Sequence, residues 1–290
     1  MDVKVRAVAR RPRVDPVRGR PVVMGVVNVT PDSFSDGGLY LERDAAVAHG
    51  RRLADEGAAI LDVGGESTRP GAEPVTEPEE LRRALPVVEE LAGDGSAEVC
   101  IDTVKAGVAR RALAAGATIV NDVSAFRFAP EIAGLVAGAG ARCVLMHMLG
   151  EPRTMQLDPR YDDVVSEVKA FLEERLAFAV GQGVPEEHVW LDPGIGFGKT
   201  SEHNLELIRR LGELVALGRP VVIGTSRKSF LGRLTGRPAH ERLAGTIATN
   251  VLAFERGASV FRVHDVAAVA DALAVAAATV RAPGEEGEGP

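Results

Sequence analysis

Residues 189–200 read Val-Trp-Leu-Asp-Pro-Gly-Ile-Gly-Phe-Gly-Lys-Thr. A short apolar run meets an acid, and a glycine-rich polar loop comes next, before a helical pattern over 204–216. An apolar run this short suits a strand covered on both faces, as in parallel sheets. The same unit recurs along the chain. Val- and Ile-rich runs lie at 22–28, 60–64, 99–103, 118–123, 143–147, 189–193, 221–226 and 260–265. Helical patterns fall between and after them, among them 44–56, 78–91, 105–115, 163–180, 204–216, 241–256 and 266–280. Gly57, Gly116, Gly140, Gly183, Gly218 and Gly257 each stand shortly before the next apolar run, where a helix C-terminus needs closing. Eight such units predict an α/β fold, a closed (β/α)8 TIM barrel in a single domain, over an open doubly wound sheet.

The size agrees. The chain has 290 residues, and α/β barrels run to about 250 residues as one domain. The expected boundaries are an N-terminal extension at 1–20 that could cap the barrel bottom, the barrel at 21–282, and a disordered Gly/Glu/Pro tail at 283–290. Composition is that of a globular protein, with 46% hydrophobic and 26% charged residues. Two cysteines exclude a disulfide scaffold. No apolar run reaches the roughly 18 residues of a membrane span, and the basic N-terminus lacks the apolar core of a secretory signal. Neither a membrane nor a secreted address is expected, and a reducing cytoplasm is. A net charge of −7 argues against nucleic acid as partner. Only five lysines occur against 29 arginines, and only four asparagines, so the places where they fall carry information.

Those places are strand ends. The first strand ends at Asn28 and the fourth at Asn121 and Asp122. The third ends at Asp102, the fifth at Met146 and His147, and the sixth at Asp192. Lys228 comes after the seventh, and Arg262, His264 and Asp265 close the eighth. Barrel active sites are built at this end. Helix capping accounts for Asp122 and Asp265, but poorly for Asn121 and Lys228. Asp102, Asn121, Asp192 and Lys228 come from four strands and converge in a barrel. Their acceptors and donors suit a flat heterocycle with amidine-like edges, such as a pterin; the carboxylates could instead bind a cation. Arg262 and His264, two residues apart on a strand, point to one face and suit an anion. The 194–200 loop is neither a Walker loop, since Pro193 stands at its first glycine, nor a dinucleotide loop, since Lys199 replaces the third. Phe197 in it is available to cover a ring. The polar loops after strands one and two carry Phe34, Asp36, Thr68 and Arg69, residues suited to a lid. Cys100 and Cys143 read as core residues, and no nucleophile stands out.

The chain resembles the dihydropteroate synthase family over about 21–266. The segments that carry the resemblance are Met-Gly-Val-Val-Asn-Val-Thr-Pro-Asp-Ser-Phe-Ser-Asp-Gly-Gly (24–38), Asp-Val-Gly-Gly-Glu-Ser-Thr-Arg-Pro-Gly-Ala (62–72), Ile-Asp-Thr (101–103), Asn-Asp-Val (121–123), Leu-Met-His-Met (145–148), 192–200, Gly-Thr-Ser-Arg-Lys-Ser (224–229) and Arg-Val-His-Asp-Val (262–266). One departure is Ala125, where the family usually has Gly after Ser124; it is expected to have little effect. The resemblance implies a homodimeric TIM barrel of folate synthesis. Its reaction joins 4-aminobenzoate to (7,8-dihydropterin-6-yl)methyl diphosphate. It implies pterin binding by Asp102, Asn121, Met146, Asp192 and Lys228. Diphosphate binding falls to Asn28, Arg262 and His264, with Mg²⁺ at Asn28. Aminobenzoate binding falls to Pro70, Phe197, Lys228 and Ser229, and mobile-loop roles to Phe34, Asp36, Thr68 and Arg69. Asp102, Lys228, Arg262 and His264 would carry catalysis by a dissociative route. Two rivals are a pterin-binding methyltransferase domain and a non-catalytic pterin-binding homologue. The Ser-Arg-Lys-Ser segment and both lid loops speak against the first. The presence of Arg262, His264 and the lid residues speaks against the second.

Overall fold

The computed structural model describes residues 14–16, 20–30, 39–68 and 71–280. Eight strands run β1 (Val22–Asn28), β2 (Ile60–Gly64), β3 (Glu98–Asp102), β4 (Ile119–Asp122), β5 (Arg142–Met146), β6 (Val189–Asp192), β7 (Val222–Ile223) and β8 (Val260–Val263). The helices are α1 (Leu39–Asp55), α2 (Glu77–Asp94), α3 (Ala106–Ala114), α4 (Ile132–Ala139), α5 (Val164–Gly181), α6 (Ser201–Arg209), α7 (Gly212–Val215), α8 (Ser229–Thr235), α9 (Leu243–Glu255) and α10 (Val266–Val280). Every strand pairs in parallel with its neighbours, from β6 through β1 to β8 and β7. The ring closes through the parallel bridge Leu191–Val221, where the Leu191 N–H donates to the Pro220 carbonyl at 2.9 Å. The expected barrel is the observed one.

Two expectations about elements are corrected. The run 221–226 yields a strand of only two residues, because Thr225 and Ser226 turn to bond Thr249 and His264 instead of a neighbouring strand. The helix expected over 204–216 is two helices, α6 and α7. α6 begins earlier, at a reciprocal cap: Thr200 accepts from the His203 N–H and the His203 ring accepts from the Thr200 N–H, both at 3.2 Å. α8 has no counterpart in the sequence pattern, since seven residues are too few for a periodicity to register.

Strand alternation divides the interior into layers. Met24, Ile60, Cys100, Ile119, Val144, Trp190 and Val260 form one buried apolar cluster. Residues two further along each strand are Val26, Asp62, Asp102, Asn121, Met146, Asp192 and Arg262, so the layer above is mostly polar. Residues of opposite parity, such as Val23, Leu61, Ile101 and Val120, pack against the helices in the main core. Gly140 ends α4 in the left-handed region at φ 58°, donating back to the Ala137 and Val136 carbonyls.

Of the expected extension at 1–20, residues 14–16 and 20 are described; the tail at 283–290 lies outside the described residues. Val14 does lie at the barrel bottom. Its N–H donates to Glu98 at 2.5 Å and its carbonyl accepts from Arg142. Arg142 pairs with Glu98, is 2% exposed and stacks 5.0 Å from the Trp190 ring centre. No helix among the described residues is long and apolar enough to cross a membrane.

These contacts set two expected stability changes. Arg142→Met leaves Glu98 buried without its cation and should cost about 3–5 kcal/mol in urea unfolding. Ala125 sits in the left-handed region at φ 53°, buried, with its carbonyl accepting from Arg175 at 2.8 Å. An Ala there costs about 1–2 kcal/mol, and a Gly returns about 0.4–1 of that to the unfolded chain. Removing the buried methyl costs about 0.8 kcal/mol, so Ala125→Gly should change stability by less than about 0.5 kcal/mol by the same assay.

Candidate active site

The polar layer sits at the C-terminal mouth of the barrel. Its centre is Arg262. The guanidinium Nε donates to Asp62 at 2.5 Å, and Nη2 donates to Asp102 at 2.9 Å. Asn121 donates its amide N–H to the same Asp62 oxygen at 3.3 Å. Asp62 is fully buried, while Asp102 and Asn121 keep 8% and 5% of their surface exposed toward the mouth. Two carboxylates thus share one guanidinium. Burial first, and Asp62 second, push Asp102 up to about 8, against the pull of Arg262. Burial works against the charge on Arg262, but Asp62 and Asp102 prevail and hold it above its ordinary range.

Asp62 is not among the site residues expected from sequence. A signal is present, since Ile-Leu-Asp-Val-Gly places one carboxylate inside an otherwise apolar strand. Its partner is visible only in the fold.

Asp192 lies on the opposite wall. Its carboxylate accepts from the Gly194 N–H at 2.7 Å, and burial pushes it up to about 6 against that bond and the Lys228 charge. The Lys228 ammonium stands 4.2 Å from the centre of the Phe197 ring, a cation–π contact. Met146 joins Val123, Met148 and Met155 in a small apolar cluster against which Phe197 packs. A flat wall therefore meets two acids, an amide and an ammonium.

The segment that carries Lys228 is fastened from behind. Arg227 adopts φ 56° and pairs with Asp265 through Nε at 3.0 Å and Nη2 at 2.5 Å. Arg242 donates to the Arg227 carbonyl at 3.0 Å. Lys228 precedes α8 and Ser229 is its first residue. His264, two residues beyond Arg262, is met by Ser226. The Ser226 hydroxyl is 3.0 Å from its Nδ1 and accepts from its backbone N–H at 3.2 Å. When the Ser226 hydroxyl donates to Nδ1, the neutral ring carries its proton on Nε2. Ser226 ends the run 221–226, but its pairing with His264 is set only by the fold.

The 192–200 loop is held at successive carbonyls. Gln156 donates to Gly196 at 2.5 Å, Lys199 to Phe197 at 3.0 Å and Tyr161 to Gly198 at 2.8 Å. Gly194 is at φ 67°, and a Cβ there would meet the His147 carbonyl at 1.9 Å, so only glycine fits. Lys199 is 1% exposed; its ammonium lies 2.9 Å from Nδ1 of His147. Burial lowers Lys199 to about 7. His147 is lowered to about 2, first by burial and then by Lys199, so the imidazole is neutral and accepts.

Thr68 lines a cavity of about 270 Å³ with Asp102, Lys105, Val123, Phe128 and Arg153. Lys105 in its wall donates to Glu66 and, at 2.5 Å, to the buried Glu80. Phe34, Asp36, Arg69 and Pro70 lie outside the described residues. Asn28 ends β1, partly buried, opposite Gly64 of β2. Among the described residues no three His, Cys, Asp or Glu side chains gather as a metal cluster. The donor set at Asn28 is one amide oxygen, which fits a hard cation held otherwise by water and a ligand's oxygens, as Mg²⁺ often is.

The raised Asp102 carboxyl makes stability depend on pH. A carboxyl whose folded value lies near 8 rather than 3.8 holds a proton that the unfolded chain has lost. Folding stability therefore falls as pH rises from about 4 to about 8 and is level beyond. Asp102→Asn removes that loss, so its melting temperature should gain on the parent across this window. A gap that does not change between pH 5 and pH 9 would contradict the charge balance described.

Comparison with known proteins bears on this geometry. The family model described as "Pterin binding enzyme" matches residues 24–264. Dihydropteroate synthase of Mycobacterium leprae is 50% identical over 268 residues, covering 90% of this chain and 94% of its own. The Escherichia coli enzyme of that name is 44% identical over 262 residues, covering 90% and 93%. The structure of Xanthomonas albilineans dihydropteroate synthase with 4-aminobenzoic acid superposes with a TM-score of 0.86, at 50% identity, over 91% of this chain and 94% of that one. The same enzyme in complex with 7,8-dihydropteroate gives a TM-score of 0.84 at 47% identity over 94% and 100%.

Proposed function

The chain belongs to the dihydropteroate synthase family, and from that premise we propose how its barrel mouth carries the family's reaction. The protein is a transferase of folate biosynthesis. It joins (7,8-dihydropterin-6-yl)methyl diphosphate to 4-aminobenzoate, giving 7,8-dihydropteroate and diphosphate.

The observation that carries our assignment of residues to this chemistry is the charge balance around Arg262. Two carboxylates face one guanidinium, so the floor of the mouth has an excess negative charge, offset by a proton while no cation is near. The pterin lies on this floor. Asp102, Asn121 and Asp192 read its N–H and amino edge, Lys228 donates to its carbonyl or ring nitrogen, and Met146 covers a face. The C–O bond to diphosphate breaks first, with the electron pair leaving on oxygen. The pterin methylene is then cationic; Asp102 gives its proton to solvent as that charge develops and, as the carboxylate, stabilises it in a site of low dielectric. The arylamine lone pair attacks this carbon, and the nitrogen then loses a proton. An arylamine is neutral at pH 7, so no strong base and no protein nucleophile are needed.

The leaving diphosphate is met by the His264 ring, which donates from Nε2 in the tautomer that accepts from Ser226, and by the Nη1 edge of Arg262, which makes no hydrogen bond among the described residues. Asn28 would hold Mg²⁺, which supplies charge neutralisation on the departing oxygens. Phe197, Pro70 and Ser229 bound the aminobenzoate, with Lys228 between the two substrates. Thr68 and Arg69, with Phe34 and Asp36, close over both. A cytoplasmic address and a homodimer belong to the same reading. Both cysteines are buried and unbridged, as thiols in a reducing compartment are. Leu252 on α9 and Val275 on α10 present exposed apolar side chains on neighbouring helices, which suits a subunit contact.

Diphosphate release in a coupled assay should reach full turnover only with both substrates present. Asp102→Asn should keep the fold and lose about 10²–10³ in kcat; near-normal turnover would remove Asp102 from the role given. Chelation should abolish turnover and added Mg²⁺ restore it, whereas activity unaffected by chelation would count against the cation at Asn28.

A further inference from the structure

Lys199 and His147 lie behind the substrate-facing wall. Neither side chain hydrogen-bonds to Arg262, Asp62, Asp102 or Asn121, and the reaction steps assigned to the mouth do not use them. Their geometry is nevertheless costly. A lysine that is 1% exposed keeps its ammonium inside the protein between two acceptors, His147 Nδ1 at 2.9 Å and the Phe197 carbonyl at 3.0 Å. An apolar chain of similar length would occupy that space without a desolvation penalty. The ammonium is therefore explained better by what it holds than by burial itself.

What it holds is the backbone of Phe197. His147 is an anchored acceptor: its backbone N–H donates to the Asp192 carbonyl at 2.9 Å, and its ring stacks edge-on against Phe171 at 4.8 Å. Lys199 bridges this fixed point to the loop. The carbonyls on either side, of Gly196 and Gly198, are held by Gln156 and Tyr161. The loop needs such restraint because Gly194, Gly196 and Gly198 all adopt positive φ, and glycine leaves many alternatives open. On the other side of the backbone, Phe197 presents its ring to the Lys228 ammonium at 4.2 Å, and a Cβ on Gly196 would meet the Lys228 chain at 3.3 Å. A shift of the Phe197 backbone therefore moves the ring and the lysine together.

We propose that the Lys199–His147 pair is a positioning device for the second substrate: it sets the Phe197 ring against Lys228, and so determines how well 4-aminobenzoate is held. The inference rests on the assignment of Phe197 to the aminobenzoate site. It predicts a selective defect. The pterin is read mainly by Asp102, Asn121 and Asp192, which sit on strands, and only in part by Lys228 beside the loop, so its binding depends far less on this loop carbonyl.

The test is steady-state kinetics of the full-length enzyme with each substrate varied in turn. Assayed near pH 6, where Lys199 carries its charge, Lys199→Met should raise KM for 4-aminobenzoate about tenfold, the weight of a hydrogen bond to a charged group, with KM for the pterin diphosphate within about twofold. His147→Leu should do the same. His147→Asn, whose side-chain oxygen can stand where Nδ1 does, should restore a KM near that of the parent. Tyr161→Phe removes one hydroxyl from the same brace without burying a charge. It should raise the aminobenzoate KM about threefold and carries the test if Lys199→Met does not fold. Phe197→Ala is the control on the premise. If it raises the aminobenzoate KM while Lys199→Met and Tyr161→Phe change neither KM, or change both equally, the positioning role is overturned and the site assignment stands. If Phe197→Ala leaves the aminobenzoate KM unchanged, the assignment falls and the inference with it.

Discussion

Arg262 is shared between two buried carboxylates from neighbouring strands, and the chemistry of the barrel mouth depends on that imbalance. One guanidinium cannot neutralise both Asp62 and Asp102, so the centre holds a proton on Asp102 where it could instead hold a cation, in a region from which water is largely excluded. Such a centre is expensive for folding, as the raised Asp102 carboxyl records. It is also a surface already arranged for a cation that exists only briefly. The same arrangement that costs stability on folding lowers the energy of a charge-separated intermediate, because the dipoles need not reorganise when it forms.

A floor of this kind works only if the substrates lie on it in one orientation. The strands supply part of that order, since Asp102, Asn121, Asp192 and Arg262 each stand two positions beyond a buried apolar residue in a tightly paired ladder. The wall facing them is loop, and loops are ordered by side chains. Here side-chain donors reach three successive carbonyls of 196–198, and the Arg227–Asp265 pair fastens the segment bearing Lys228 to the strand end bearing His264. Strand precision and side-chain bracing thus meet at Phe197 and Lys228.

Much of this is legible along the chain. Eight short apolar runs with polar ends, separated by helical patterns, are what a parallel barrel requires, because its strands are covered on both sides and its loops are segregated to one end. The scarce residues are informative for the same reason: Asn28, Asn121 and Lys228 stand where an apolar strand stops. Asp62 escapes such a reading, since its place in mid-strand is an oddity until the ring closes and brings Arg262 of β8 beside it. Lys199 reads as a loop residue, because burial of a lysine depends on what packs over it, here His147 just beyond the end of β5. The sequence overstates β7 because Thr225 and Ser226 continue an apolar run along the chain but are side-chain partners of Thr249 and His264 in space.

The chain by itself therefore determined the fold class, the end of the barrel that carries the chemistry, and most of the groups gathered there. Those features are periodic or local, and periodicity comes from strand and helix geometry alone. The tertiary structure decided which of those groups share a charge, which histidine meets a serine and which a buried lysine, and which carbonyls are held. These pairings span as many as 200 residues, between Arg262 and Asp62. The longest of them needs β8 to pair beside β1, which brings Arg262 within reach of Asp62 on β2.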